Sequence, residues 1–172
     1  MDAPEFSRIY DVRYLPAAPQ TLSASETECA ALARRFGMVA VKRLEAQAVL
    51  IAEGRQVTAT GRISADVIQS CAVSGEDLPA KIDEPLALRF VPEGPAATPD
   101  EEIELSEDAL DEIPYAGTQF DLGEAVAQGM MLAIDPYAVG PEAERVRQNA
   151  KLMGEAAAGP FAALAKLKNG LD

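Results

Sequence analysis

Histidine and tryptophan are absent from the chain, and only two cysteines occur among its 172 residues. Because histidine is the commonest general base and a common zinc ligand, a Ser-His-Asp or Cys-His catalytic site is excluded within this chain. The sequence also contains no Walker loop and no GxGxxG nucleotide-binding motif. We therefore predict a non-catalytic protein that needs no cofactor and no metal.

Long apolar runs and a disulfide framework are missing as well. No segment approaches the roughly 18 consecutive apolar residues that a membrane-spanning helix needs. Met1–Glu5 is acidic, and no apolar segment typical of a secretory leader follows it. Cys29 and Cys71 lack metal-ligand spacing, and we interpret them as ordinary buried or turn cysteines. These features predict a cytoplasmic protein that makes no membrane contact.

Positive charge is scarce, since 15 basic residues face 28 acidic ones and the formal net charge is −13. Non-specific binding to nucleic acid needs basic residues that displace counterions from phosphates, so the charge favours a basic protein as the partner. Direct RNA contact would need a local basic patch. The predicted sheet holds six basic residues that would form such a patch if they shared one face: Lys42, Arg43, Arg55, Arg62, Lys81 and Arg89.

Two helices have clear start signals. The first begins at Ser23 or at Ser25, each of which is followed three residues later by the glutamate that a capping box requires. The second begins at Asp121, with Glu124 three residues further on, and ends at an Asp-Pro pair. A third, charged helical segment is predicted within residues 141–153.

Apolar residues alternate with polar ones between residues 38 and 91, which is the period of a β-strand. A turn at 53–56 predicts a β-hairpin, and short turns between successive strands predict antiparallel pairing. A short strand is predicted at residues 6–12. We expect one α+β domain over residues 1–140, with two packed helices on an antiparallel, strongly bent sheet that is either open or curled into a partial barrel. Residues 141–172 are predicted to form a helical C-terminal extension.

An acidic loop is predicted at residues 92–112, with a short strand near Ile113. The segment contains three prolines and no lysine, and its carboxylates repel one another. It is either a solvated charge run or a phosphate-like surface that holds a basic protein. The candidate partner-binding residues, chosen by charge, are Glu101, Glu102, Glu104, Glu107, Asp108, Asp111 and Glu112.

The C-terminal tail carries a second candidate binding motif. Phe161, Leu164 and Leu167 recur at helical spacing and are flanked by lysines, a pattern typical of a helix that docks in a groove. The alternatives are that this segment packs on its own domain or frays.

Several motifs follow one another in a recognisable order. A turn containing Cys71 spans residues 71–79 and leads into a strand that ends near Pro92. The acidic loop follows, and an Asp-Leu-Gly-Glu sequence at 121–124 then opens a helix. In order and separation, over roughly residues 5–145, these motifs resemble the YceD-like family of small bacterial and chloroplast proteins.

The resemblance implies a role in the accumulation and processing of large-subunit ribosomal RNA, and it implies no catalytic residues. Many family members carry two cysteines at this turn, and some add a cysteine-rich tail that looks metal-binding. Here Ser74 stands at the second cysteine position, and the tail is rich in alanine, leucine and lysine. The resemblance therefore implies no metal role for this chain.

We interpret the chain as a non-catalytic factor in large-subunit ribosomal RNA accumulation and ribosome assembly. Because the chain is acidic, we expect a basic ribosomal or assembly protein as its partner, with RNA contact either indirect or confined to one face. The alternative is an acidic adaptor that regulates a non-ribosomal partner enzyme. A hydrolase that uses paired carboxylates is a third possibility, which the absence of tryptophan platforms for sugar rings disfavours.

Overall fold

Strands dominate the first two thirds of the chain in the computed structural model, which describes residues 4–93 and 111–157. The elements are β1 (Ile9–Asp11), β2 (Gln20–Ser23), α1 (Glu26–Arg35), β3 (Ala40–Glu53), β4 (Gln56–Ser70), β5 (Asp77–Pro92), β6 (Asp111–Tyr115), β7 (Gln119–Asp121), α2 (Leu122–Leu132) and α3 (Ala143–Ala157). The described residues group into a larger unit, 4–69 with 79–93 and 111–135, and a smaller unit, 70–78 with 136–157. The domain boundary near residue 140 stays a prediction.

Five strands form one sheet in the order β2-β3-β4-β5-β6. Strand β3 pairs antiparallel with both β2 and β4, and its hairpin with β4 closes where Glu53 lies opposite Gln56. Gly54 in this turn has a φ of 66°, a left-handed conformation that a residue without Cβ adopts at no steric cost. The hairpin with its turn at 53–56 is therefore confirmed.

The last strand of the sheet shows that the all-antiparallel prediction is wrong. Strand β6 pairs parallel with β5, so that Phe90 lies opposite Ile113. A parallel neighbour needs a connection of roughly a dozen residues or more, and the segment 93–110 is long enough to supply it. The sheet is mixed, and within the described residues β2 and β6 are separate edges, so no barrel closes.

A second, two-stranded sheet joins the two ends of the larger unit. Strand β1 is shorter than the predicted strand at 6–12, and it pairs antiparallel with β7, with Tyr10 opposite Phe120. Strand β2 was not predicted, because its four residues include a single buried apolar side chain, Leu22.

The predicted capping residues begin both packed helices. The Ser25 hydroxyl accepts a hydrogen bond from the Glu28 amide, and the Glu28 carboxylate accepts one from the Ser25 amide at 2.8 Å. The cap of α1 is therefore Ser25, whereas Ser23 belongs to β2. In α2 the Asp121 carboxylate accepts from the Glu124 amide at 3.1 Å. The charged helix predicted within 141–153 is present as α3.

The core is built from one side of the long strands together with α1 and α2. Every second residue of β3 from Leu44 to Leu50 is buried, as the two-residue period of a strand requires. Phe90 of β5 packs against Phe120, with 4.3 Å between the ring centroids. This burial confirms the α+β class. None of the described helices has the length and apolarity that crossing a membrane demands.

Candidate functional site

Two of the seven candidate carboxylates lie within the described residues. Asp111 and Glu112 are exposed residues of β6, so the bounds of the predicted acidic loop are wrong at both ends, since β5 also includes Pro92. Alternation explains the strand: Ile113 packs against the core and Tyr115 is buried in it despite the neighbouring charges. The remaining acidic candidates and the three tail candidates lie outside the described residues: Glu101, Glu102, Glu104, Glu107, Asp108, Phe161, Leu164 and Leu167.

Strand β6 presents a sheet edge with a distinctive pattern. The Glu93 amide donates to the Tyr115 carbonyl at 2.9 Å, which sets the phase of the parallel ladder. In this phase Ile113 and Tyr115 direct their backbone groups toward β5, whereas Glu112 and Pro114 direct theirs to the outer edge. Proline has no N–H to leave unpaired, so Pro114 occupies a position that an edge strand tolerates.

A cleft of about 250 Å³ lies between β6, β7 and α2. Its floor is apolar and includes Phe90, Phe120 and Ala125, while Gln119 and Gln128 are exposed at its walls. No motif in the sequence indicated this cleft. The signal that was present is a proline inside an alternating apolar segment, which is typical of an edge strand.

The face of the five-stranded sheet opposite the core, here called the open face, brings together four of the six basic residues of the sheet. Lys42 instead lines a cavity beside α1, and Arg55 lies in the hairpin turn. The residues of the open face alternate with the buried ones along β3 to β6. Its charged members include Arg43, Arg62, Lys81, Arg89, Glu45, Glu53, Asp66, Asp83 and Glu112.

The arginines of the open face are matched by carboxylates. Arg43 Nε donates to Asp66 Oδ2 at 2.9 Å, and Arg62 Nη2 donates to Asp83 Oδ2 at 2.8 Å. These hydrogen bonds hold the pKa of each of the two aspartates below its usual value. The contact between Arg89 and Glu112 is looser, at 3.5 Å. The open face therefore carries arginines paired with carboxylates and is not a basic patch.

The cysteine turn in the smaller unit is a hydrogen-bonded structure centred on a sulfur. The Sγ atom of Cys71 accepts from the amides of Val73 at 3.5 Å, Ser74 at 3.3 Å and Gly140 at 3.3 Å. These bonds, with the Gly140 amide making the largest contribution, lower the pKa of the Cys71 thiol to about 6. Cys71 is a buried cysteine at a turn, as predicted, and the amides around its sulfur also favour the thiolate.

Side chains beside Cys71 fix the same loop by other bonds. The Glu76 carboxylate accepts from the Glu142 amide at 2.9 Å and from the Ser74 hydroxyl at 3.0 Å. Within the described parts of the chain, no three His, Cys, Asp or Glu side chains cluster closely enough to hold a metal ion. Hydrogen bonds from residues 140 and 142 hold the turn.

The two acidic residues of the Asp-Leu-Gly-Glu sequence hold other segments of the chain by hydrogen bonds. The Asp121 carboxylate accepts from the Ser7 hydroxyl at 2.6 Å and from the Arg8 amide at 2.8 Å. The Glu124 carboxylate accepts from Arg35 Nη2 at 2.6 Å, and this bond lowers the pKa of Glu124. Both acidic residues are occupied in holding the N-terminal segment and α1, so we assign them no ligand.

The mixed sheet with two packed helices defines an α+β protein whose acidic edge adjoins a small apolar cleft. The chain belongs to the YceD family: the family model described as "Large ribosomal RNA subunit accumulation protein YceD" matches residues 59–168. Membership implies a role in the accumulation of large-subunit ribosomal RNA. No curated protein and no solved structure matches the chain.

Proposed function

We propose that this protein is a non-catalytic, cytoplasmic factor in large-subunit ribosome assembly that binds a basic ribosomal or assembly protein. The observation that carries the proposal is the placement of charge. Asp111 and Glu112 are exposed on the edge strand β6, and the acidic segment 100–112 that leads into that strand contains no basic residue. Such a concentration of carboxylates attracts a basic surface and speeds its association.

RNA contact is indirect, or confined to one face, in this proposal. Arg43 and Arg62 are both engaged by carboxylates of the open face, so they supply little net charge for phosphates. Affinity for a polyanion depends on the counterions that basic residues displace, and these pairs reduce that number. Large-subunit RNA then accumulates because a ribosomal protein is delivered to it or held on it.

An affinity pulldown from native cytosol at about 0.15 M salt tests the proposal. Captured proteins and RNA are identified with and without nuclease treatment. We expect basic large-subunit proteins that stay bound after nuclease. Capture that is lost after nuclease would show that RNA is the bridge, and capture of an unrelated enzyme alone would favour the adaptor. Either result contradicts the proposal.

A matched pair of variants separates a local effect from net charge. The double variant Asp111→Asn with Glu112→Gln removes two charges from β6. The control, Glu53→Gln with Asp77→Asn, removes two charges from exposed positions elsewhere. We expect the first variant to lose most of the captured basic protein and the control to retain it.

A further inference from the structure

We propose that the outer edge of β6 and the adjoining cleft bind an extended, basic segment of the partner as an added β-strand. This inference rests on the proposed function and specifies its site. The added strand would run beside Glu112 and Pro114, and its alternate side chains would face the cleft. Strand addition of this kind takes its affinity from main-chain hydrogen bonds and its specificity from pockets for alternate side chains.

The outer edge of β6 offers main-chain hydrogen-bonding groups to an added strand. In the observed register the N–H and C=O of Glu112 and the C=O of Pro114 point away from β5, so one donor and two acceptors are directed outward. A sheet edge of this kind is a template for another strand. The opposite edge is less open, because Arg8 Nη2 donates to the Ser23 carbonyl of β2 at 3.1 Å.

The cleft offers room for side chains of the added strand. An added strand places alternate residues on opposite faces of the sheet. Those on the helix side meet the cleft floor of Phe90, Phe120 and Ala125. The cleft has a volume of about 250 Å³, which suits one or two aliphatic side chains. Residues on the other side meet Glu112, which is exposed and only loosely held by Arg89.

Charge selects a basic strand and disfavours a second copy of this chain. Glu93, Asp111 and Glu112 are exposed along or beside the edge; Arg89 contacts Glu112 at 3.5 Å, and Arg55 Nη2 donates to the Gly117 carbonyl just beyond β6. Two copies paired through β6 would bring these carboxylates together, and like charges placed opposite one another in a sheet are destabilising. The expected occupant therefore alternates lysine or arginine with leucine, isoleucine or valine.

The probe is a synthetic, acetylated and amidated heptapeptide of alternating lysine and leucine, titrated into the full-length protein. Its control carries N-methyl groups on alternate residues, which removes main-chain donors without changing charge. We expect N-methylation to weaken binding at least about tenfold, because the backbone bonds are lost. The Glu112 amide should also exchange its hydrogen at least about tenfold more slowly in the complex.

Variants of the protein locate the site. Glu112→Lys reverses the charge on the edge, and Glu53→Lys makes the same change at an exposed position on β3, three strands away in the sheet. Gln128→Trp places a large ring at the mouth of the cleft from an exposed helical position. We expect Glu112→Lys and Gln128→Trp each to weaken peptide binding at least about tenfold. The control, Glu53→Lys, should stay within about twofold of the wild type.

Several outcomes would overturn this inference. Failure of the peptide to bind, equal binding of its N-methylated form, or equal effects of the two lysine variants would each do so. Sedimentation of the free protein as a dimer that Glu112→Lys dissociates would show that the edge holds a second copy. If Glu112→Lys captured basic large-subunit proteins as well as the wild type does, the inference would fail while the proposed function stood. If the wild type captured none, the proposed function itself would fail.

Discussion

Replacing Gly123 with alanine sets two effects of opposite sign against each other. Gly123 lies in the first turn of α2, where alanine is favoured over glycine by at most about 1 kcal/mol. A Cβ at this position would lie 2.6 Å from the Phe6 carbonyl oxygen and 2.7 Å from the Arg8 amide nitrogen. Ordinary contact begins at 3.4 Å, so the N-terminal segment would have to retreat by about 0.8 Å.

That retreat breaks bonds which hold the N-terminal segment to α2. The Asp121 carboxylate accepts from the Arg8 amide at 2.8 Å, and the Leu122 amide donates to the Arg8 carbonyl at 3.0 Å. Losing both bonds costs about 1–3 kcal/mol, and the overpacking itself costs about 1–3 kcal/mol. After the helical gain is subtracted, we expect Gly123→Ala to lower the free energy of unfolding by about 3 kcal/mol.

Urea and thermal denaturation measure this change, which should lower Tm by roughly 6–12 °C in a protein of this size. Gly129→Ala is the matched control, because it lies in the same helix and its Cβ would meet the flexible end of Ile63 at 2.8 Å. We expect this control to stay within about 1 kcal/mol of the wild type. A Gly123→Ala variant as stable as the wild type would refute the argument.

Three further predictions concern acid stability, thiol ionisation and strand packing. Hydrogen bonds from Arg8 lower the pKa of Glu28 from 4.5 to about 2, so its stabilising contribution is complete above pH 4.5 and is lost as the pH falls toward 2. Glu28→Gln should flatten the acid side of the stability curve in that window; an unchanged slope would contradict this. In a Cys29→Ala variant, thiolate absorbance should titrate with a midpoint near 6 owing to Cys71, and a midpoint near 9 would show that the amides do not hold the sulfur. Gly61→Ala would drive a Cβ into the Gln47 carbonyl oxygen of β3, and we expect a loss of at least about 3 kcal/mol by urea denaturation; wild-type stability would rule out this close approach of the strands.

Features set by neighbouring residues were predictable from the sequence. The hairpin turn at 53–56 follows from Gly54 between two alternating segments, and the α2 start follows from Asp121. The choice between Ser23 and Ser25 was not, because both satisfy the local capping pattern. Only the pairing of β2 with β3 removes Ser23 from the helix.

Features that join distant parts of the chain were not predictable. The parallel pairing of β6 depends on the path of a long connection, and no local pattern in Ile113 to Tyr115 indicates its direction. The low pKa of Cys71 depends on the amide of Gly140. The ion pairs of the open face were not predictable for the same reason, because Arg43 and Arg62 each bond a carboxylate on the neighbouring strand.

The hydrogen bonds between the N-terminal segment and the start of α2 have a consequence for synthesis of the chain. Ser7 and Asp121 are 114 positions apart, yet they are bonded directly in the folded protein. A ribosome that elongates at about 5–20 residues per second needs roughly 6–23 s to make the second partner after the first. During that interval the aromatic ring of Phe6, which is fully buried in the finished protein, has no completed core to enter. Phe6 of the nascent chain therefore stays exposed during this interval. The larger unit can complete its core only after α2 has left the exit tunnel.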